Sequence, residues 1–381
     1  MRIAVFSTAR VPSRTANSIQ VLKVCQAFQD LGHAVRLWLP GAEPGVEWDT
    51  LAAWYGVRGP LEITWCAASR PLRRYDYALR AAAQAKGWHA DVYYAWPLQV
   101  AALTAQRGLP TALEVHDRPQ GRLGPWLMRA FLRGRGARRL LPITQAMRAT
   151  LERDYPIPGR PGFVVVAPMG VDLERYRELR APGDARRALG WPEAFTVGYT
   201  GHLYSGRGID LILQLASRQP QVRFVLAGGE PLDVQRWSAE AERAGLKNVA
   251  FLGFVDNARL PGIQAACDVL VMPYGPKIAV SGGGDTAAVA SPMKAFEYLA
   301  TGRPVMASDL PVFREVLTEQ NAVLLPPGDA AAWEAALSDL QAAPARRQAL
   351  GEQAQRDAAR YTWIERARRS LEGFEMGAGD G

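Results

Sequence analysis

The segment 291–304, Ser291-Pro-Met-Lys-Ala-Phe-Glu297-Tyr-Leu-Ala-Thr-Gly302-Arg-Pro304, concentrates residues that could do chemistry. Ser291 is a favoured helix N-cap, Pro292 suits a first helical position, and Gly302 with Pro304 stops a helix. Such a helix start offers unbonded N–H groups and a positive dipole end, a ready place for a phosphate. Glu297 falls one turn after Met293 on the same side. Its carboxylate can accept hydrogen bonds from two vicinal hydroxyls, as a ribose offers, or pair with Arg303 on the helix surface. Upstream, Gly198-Tyr-Thr-Gly201-His202-Leu-Tyr-Ser-Gly-Arg207-Gly208 combines glycines, which let a ligand approach the backbone, with Arg207. A guanidinium there can grip a diphosphate through two hydrogen bonds.

These residues need strands and helices to present them. Buried strands are predicted at 3–6, 34–39, 92–95, 112–115, 140–143 and 163–167, with helical stretches between most of them. The first helix begins at Asn17 or Ser18 as its cap and runs to about Leu31, with Val21, Val24, Cys25, Phe28 and Leu31 on one face. Pro, Gly and charge from about 168 to 193 read as a linker. The alternation then restarts, with strands at 195–199, 223–227, 249–252, 269–272, 304–307 and 322–325. Helices at about 330–340, 345–360 and 363–374 close the chain, and 377–381 reads as a frayed tail. Alternating strand and helix implies parallel sheets covered on both faces, with ligands at the carboxyl ends of the strands. No Gly-x-Gly-x-x-Gly follows the first strand, so a dinucleotide cofactor is not expected.

The 381 residues suit two domains, and 48% hydrophobic with 22% charged residues is an ordinary globular composition. A formal net charge of +8 favours an anionic partner without choosing among a nucleotide, a phospholipid surface and nucleic acid. Cys25, Cys66 and Cys267 are far apart and odd in number, which fits a reducing cytoplasmic compartment rather than a disulfide framework. Neither a leader peptide nor an apolar run of about 18 residues is seen, so any membrane contact is expected to be peripheral.

Taken jointly and in order, the motifs of the second half resemble those of the family-4 retaining glycosyltransferases (group 1, GT-B fold). They are the loop 201–208, Phe224-Val-Leu-Ala-Gly-Gly229-Glu-Pro231, Val249-Ala-Phe-Leu-Gly-Phe254, Leu260-Pro, Cys267-Asp-Val-Leu-Val-Met-Pro273, the segment 291–304 and Leu325-Pro-Pro-Gly-Asp329. The match covers about 196–329. It implies two Rossmann-like domains facing each other across a cleft. One is an acceptor-side domain of 1–172, onto which a C-terminal helix at about 360–375 packs back; the other is a nucleotide-sugar domain of 173–359. By the resemblance, Glu297 holds the donor ribose and Arg207 neutralises the leaving diphosphate. Gly201, His202, Gly229 and the backbone of Ser291, Met293 and Lys294 contact donor sugar and phosphate, and Phe254 lines the base. Two departures stand out. The family usually has a basic residue where His202 stands, and often a carboxylate where Val289 stands, for which Asp285 in the Gly282–Gly284 loop could substitute. A variant subgroup with Ser-Pro-x-Lys looks like this chain.

In the first half, Gly108-Leu-Pro-Thr-Ala-Leu-Glu-Val-His116-Asp117 resembles the family strand ending in a His that bonds the transferred sugar. Asn17 and Ser18 occupy the place of the family's Gly-rich acceptor-side loop, and Ala167-Pro-Met-Gly-Val-Asp172 resembles the entry into the linker. The stretch 118–139 holds seven Arg (118, 122, 129, 133, 135, 138, 139) and no acid, interleaved with Trp126, Leu127, Met128, Phe131 and Leu132. It reads either as a solvated helix face or as a contact to an anionic membrane surface. Nucleic acid is the poorer partner, because no reader motif accompanies the charge.

The resemblance implies a metal-independent hexose transfer from a nucleotide sugar to a carbohydrate or lipid-linked acceptor. No cofactor is implied beyond the donor, and no Asp-x-Asp is present to bind a metal. Retention would follow same-face attack, with the leaving phosphate assisting deprotonation. A nucleotide-sugar epimerase on the same fold and a non-catalytic nucleotide-sugar-binding protein remain open alternatives.

Overall fold

A computed structural model describes residues 1–69, 72, 74–277 and 289–374. The chain divides into two compact units, Met1–Met169 with Trp363–Gly381, and Gly170–Thr362.

The first unit is built on one parallel sheet. Its strands are β1 (Arg2–Phe6), β2 (Ala34–Pro40), β3 (Glu62–Cys66), β4 (Val92–Ala95), β5 (Thr111–Val115) and β6 (Ala137–Pro142), in the order β3-β2-β1-β4-β5-β6. Ile3, Ala4, Val5 and Phe6 are fully buried, the mark of a central parallel strand covered on both faces. The strand order reverses between β1 and β4, where open α/β sheets place their ligands. The helix Trp363–Leu371 belongs to this unit and packs on the helix Ala16–Asp30.

The second unit repeats the plan with β7 (Thr196–Thr200), β8 (Arg223–Ala227), β9 (Val249–Gly253), β10 (Val269–Met272), β11 (Val305–Ser308) and β12 (Val323–Leu325). All pairs are parallel, in the order β12-β11-β10-β7-β8-β9, so the reversal lies between β7 and β10. Gly198 in β7 is small for a reason: a Cβ there would lie 2.3 Å from Cys267 Sγ, so the thiol of the preceding loop fills that place. Asp329 caps the helix Ala330–Ala342, accepting from the N–H groups of Ala331 and Ala332 at 3.1 and 3.0 Å.

Three expectations are corrected. The edge strand β3 was not foreseen: four of its five residues stay exposed or half-buried, so it shows no apolar run. Residues 163–167 do not form a named strand. They run beside β6, with Leu140 N–H donating to Phe163 O at 2.7 Å and Ala167 N–H to Pro142 O at 2.9 Å, but only the Leu140–Val164 bridge is complete. Neither Asn17 nor Ser18 caps the first helix. It starts at Ala16 after Thr15, which leaves both in the first turn. The tail 377–381 lies outside the described residues.

Candidate functional site

In the second unit the chain leaves β7 through the loop 201–208 and enters the helix Ile209–Arg218. Gly208 makes the turn with φ +73°, and a Cβ there would sit 1.7 Å from the Pro273 carbonyl oxygen. Only glycine lets the loop close down on the end of β10. Gly201 N–H donates to Ala227 O at 2.8 Å, and Gly228 N–H to Gly253 O at 2.6 Å, so the ends of β7, β8 and β9 are tied together. Gly229 at φ +90° packs its α-carbon against the Leu203 side chain.

Basic groups collect at this edge. The Arg207 guanidinium lies 4.6 Å from the centre of the Tyr274 ring, and its buried Nε has no hydrogen-bond partner among the described residues. Lys294 Nζ is buried 3.7 Å over the Tyr199 ring and 5.2 Å from the Tyr274 ring, also without a hydrogen-bond partner among the described residues. Burial, reinforced by the neighbouring Arg207, pushes the Lys294 amine well below its ordinary pKa, and Glu297 offsets this only in part. His202 stacks on Tyr204 at 4.6 Å with 7° between the ring planes, and its carbonyl accepts from the Tyr199 hydroxyl at 2.7 Å.

The helix at 291–304 begins one or two residues later than expected. It spans Met293–Thr301 with Pro292, not Ser291, at the N-cap position, and Pro292 makes no side-chain cap. Ala295 N–H donates to Pro292 O at 3.0 Å, and Pro292 itself brings no side-chain acceptor to the N–H groups of the first turn. Gly302 ends the helix at φ +66° as expected. Glu297 is half-buried one turn on and takes no hydrogen bond or ion pair from another described residue. The alternative pairing with Arg303 is not formed, because that guanidinium donates to the carbonyls of Arg180 (2.7 Å) and Ala265 (3.0 Å). Near the Glu297 carboxylate lies the Tyr176 hydroxyl, whose pKa is raised by burial and then by that charge. Phe254 is the half-buried residue that follows β9, and Val289 is buried. Asp285 and the Gly282–Gly284 loop lie outside the described residues.

In the first unit His116 follows β5 and is held from several sides. Its Nε2 lies 2.6 Å from Glu114 Oε1, 3.2 Å from the Trp96 indole N–H and 3.1 Å from the Gln20 amide nitrogen. Glu114 is fully enclosed. It takes Arg366 at 2.6 Å, the Gln20 amide at 2.6 Å and the Tyr94 hydroxyl. Burial works to raise the Glu114 carboxyl, but Arg366 and His116 outweigh it and hold the group well below the usual carboxylate range. The carboxylate, the indole and the amide all meet the ring at Nε2 and fix its orientation. Asn17 is exposed in the first turn of its helix, whereas Ser18 is buried. The Ser18 hydroxyl donates to Thr15 O (2.8 Å) and Ser13 O (3.1 Å), so it serves the helix start rather than facing a ligand.

The arginine-rich stretch separates into two roles. The helix Gly124–Arg133 turns Leu127, Met128, Phe131 and Leu132 into the unit's own core. Arg118, Arg122, Arg129, Arg133, Arg135 and Arg138 are exposed, and with them Leu123 (45%) and Trp126 (62%). Arg139 is structural: it is buried and donates to the carbonyls of Arg369 and Glu372.

The structure therefore gathers Gly201, His202, Arg207, Lys294 and Glu297 on one unit, and His116 with Asn17 on the other. Sequence reasoning missed the Lys294 side chain, the Tyr199 and Tyr274 rings, and the Glu114–Arg366 pair behind His116. The position of Tyr274, two residues beyond β10, was the one available signal. Arg366 comes from 252 residues later than Glu114 (366 − 114), a distance over which spacing carries nothing. Among the described residues no cluster of three or more His, Cys, Asp or Glu could hold a metal, and no helix is long and apolar enough to cross a membrane.

Residues 194–342 match the family model described as glycosyl transferases group 1, and residues 18–175 that described as glycosyltransferase family 4. D-inositol 3-phosphate glycosyltransferase of Corynebacterium urealyticum is 32% identical over 248 residues, 61% of this chain and 55% of that protein. Phosphatidyl-myo-inositol mannosyltransferase of Mycolicibacterium smegmatis is 26% identical over 377 residues, 95% of this chain and 90% of that one. The chain spans about half the length of the first curated relatives it matches. The structure of Anabaena Alr3699/HepE in complex with UDP-glucose superposes with a TM-score of 0.74 at 18% identity, over 99% of this chain and 100% of that one. A sucrose-phosphate synthase from Thermosynechococcus elongatus gives 0.74 at 18% identity, over 98% of each chain. At such identity the structural likeness speaks for the fold.

Proposed function

Because this chain belongs to the family-4, group-1 glycosyltransferases with the GT-B fold, we propose that it moves a hexose from a nucleotide-diphosphate sugar to a carbohydrate or lipid-linked acceptor. Transfer proceeds with retention at the anomeric carbon, without a metal and with no cofactor beyond the donor. One observation carries the reading. A buried arginine with an unsatisfied Nε serves the same unit as a helix that Pro292 starts without a side-chain cap and a carboxylate, Glu297, that takes no hydrogen bond or ion pair from another described residue.

Each group has a task. The diphosphate lies against Arg207 and the N–H groups of Met293 and Lys294, with loop residues Gly201 and His202 beside it and Gly229 keeping the turn beyond β8 compact. Glu297 accepts hydrogen bonds from the ribose hydroxyls, and Phe254 lines the base. The main charge to stabilise is the one that builds on the leaving diphosphate, and preoriented donors do this without reorganising. The cations take the part that a metal would otherwise play. In the first unit, His116 and Asn17 at its helix start are the residues assigned to sugar recognition. The acceptor hydroxyl attacks from the face the leaving group departs, and the departing phosphate oxygen takes its proton.

The relatives that act on D-inositol 3-phosphate and on phosphatidyl-myo-inositol support a polar, phosphate-bearing or lipid-linked acceptor. The exposed Leu123 and Trp126 amid Arg118, Arg122, Arg129 and Arg133 support peripheral binding to an anionic membrane, which sets the enzyme at the cytoplasmic face.

Incubation with UDP-, GDP- and ADP-sugars and a panel of sugar, sugar-phosphate and lipid acceptors tests the activity. Acceptor-dependent release of nucleoside diphosphate with an α-linked product from an α-linked donor is expected, unchanged by EDTA. A new sugar isomer without acceptor would make the chain an epimerase, and binding without turnover would make it a non-catalytic binder.

A further inference from the structure

Lys294 is a buried amine with no hydrogen-bond acceptor among the described residues. It is 9% exposed, and a Cβ on Gly201 would lie 2.7 Å from its Nζ, so the side chain ends directly against the loop 201–208. The Tyr199 and Tyr274 rings attract an ammonium through their faces but leave its N–H donors open. Arg207 shares the Tyr274 ring at 4.6 Å. Glu297, one turn on, closes an ion pair with neither. Two basic groups gathered in a buried place, with no bonded counter-anion among the described residues, favour the loss of one proton or the arrival of an anion.

We propose that the Lys294 amine is uncharged in the empty site, takes up a proton when a nucleotide sugar binds, and then donates to the donor diphosphate beside Arg207. This rests on the donor-site reading above and extends it to a side chain for which the family pattern gave only a backbone role. It supplies at 294 the second positive charge that the family usually keeps where His202 stands. The proton comes from solvent and no bond is broken. Among the described residues, four titratable groups face the amine: Tyr199 from β7, Arg207 from the loop, Tyr274 beyond β10 and Glu297 from its own helix. Burial and Arg207 hold the amine's pKa low, and Glu297 opposes them in part. A bound diphosphate places negative charge beside the amine and raises it again. Above the free-site pKa each donor must then bring a proton with it, so affinity falls by up to about tenfold per pH unit.

Calorimetric titration of the full chain with UDP-glucose, GDP-mannose and ADP-glucose, in two buffers of different ionisation enthalpy, tests this. These diphosphate diesters do not titrate near neutrality, so proton uptake reports on the protein. Net uptake is expected in the wild type and should vanish in Lys294→Met, with affinity reduced roughly ten- to hundredfold. Replacing a buried, unbonded amine by an apolar chain of similar length should leave the melting temperature unchanged or higher. A wild type that binds donor without taking up a proton, or a folded Lys294→Met with unchanged affinity, overturns the proposal. If Glu297→Ala weakens donor binding while Lys294→Met does not, the donor site stands and the lysine role falls. If none of the three sugar nucleotides binds, both fall together.

Discussion

At the scale of single residues, the first unit encloses a charge pair within its apolar core. Glu114 and Arg366 are both enclosed and 2.6 Å apart. Breaking such a pair from one side leaves an uncompensated charge, at a cost of about 3–5 kcal/mol. Glu114→Gln is therefore expected to lower the urea midpoint of the first unit strongly and to loosen His116, whose Nε2 it orients. The pH dependence has a definite sign. The folded-state pKa of Glu114 lies below its unfolded value of about 4.3. Its stabilisation is therefore complete above that pH and drains away as pH falls below it. Urea titrations between pH 3 and 7 should show a steep acid loss in the wild type and a shallower one in Glu114→Gln. Equal slopes would contradict the assignment. Glu297, Arg207 and the glycines of their loop were legible because helix stops, turns and basic residues after strands are local signals. Glu114 was not, because a buried carboxylate in a strand is justified only by partners from Gln20, Tyr94 and Arg366.

Elements were readable where both faces of a strand are buried. β4 and β10 are apolar throughout, and β1 and β8 are apolar after a leading arginine, so their positions follow from composition alone. The edge strand β3 escaped because a half-exposed edge carries a weak pattern. Residues 163–167 have the residues of a strand, but Pro161, Gly162 and Pro168 flank them and only one bridge is completed. The helix Gly124–Arg133 teaches a related lesson. Its apolar face is spent on the core, so its amphipathic pattern says nothing about a membrane. What remains for a membrane is the pair Leu123 and Trp126 with the arginines around it. Pelleting with anionic vesicles is expected to fall several-fold on replacing Leu123 and Trp126 by Ser, and again on neutralising Arg118 and Arg122, with thermal stability kept. Unchanged pelleting would remove the membrane from the account.

Over the whole molecule, two units share one strand order, and each places its polar residues beyond the carboxyl ends of central strands. The chain's last helix returns to the first unit, where Arg366 meets Glu114. Cutting the chain after Thr362 should therefore lower the calorimetric transition of the first unit and leave that of the second in place. Equal shifts in both would contradict this division of stabilising contacts. The two-unit plan was visible as a pattern that stops near residue 168 and begins again near 195, because parallel α/β units repeat their alternation. The central claim concerns the second unit alone, and a crystal structure of the full chain with a bound sugar nucleotide tests it most directly. The account requires the diphosphate against Arg207 and the start of the helix Met293–Thr301, with the ribose hydroxyls on Glu297. A nucleotide lodged elsewhere, with Glu297 still unoccupied, would contradict it.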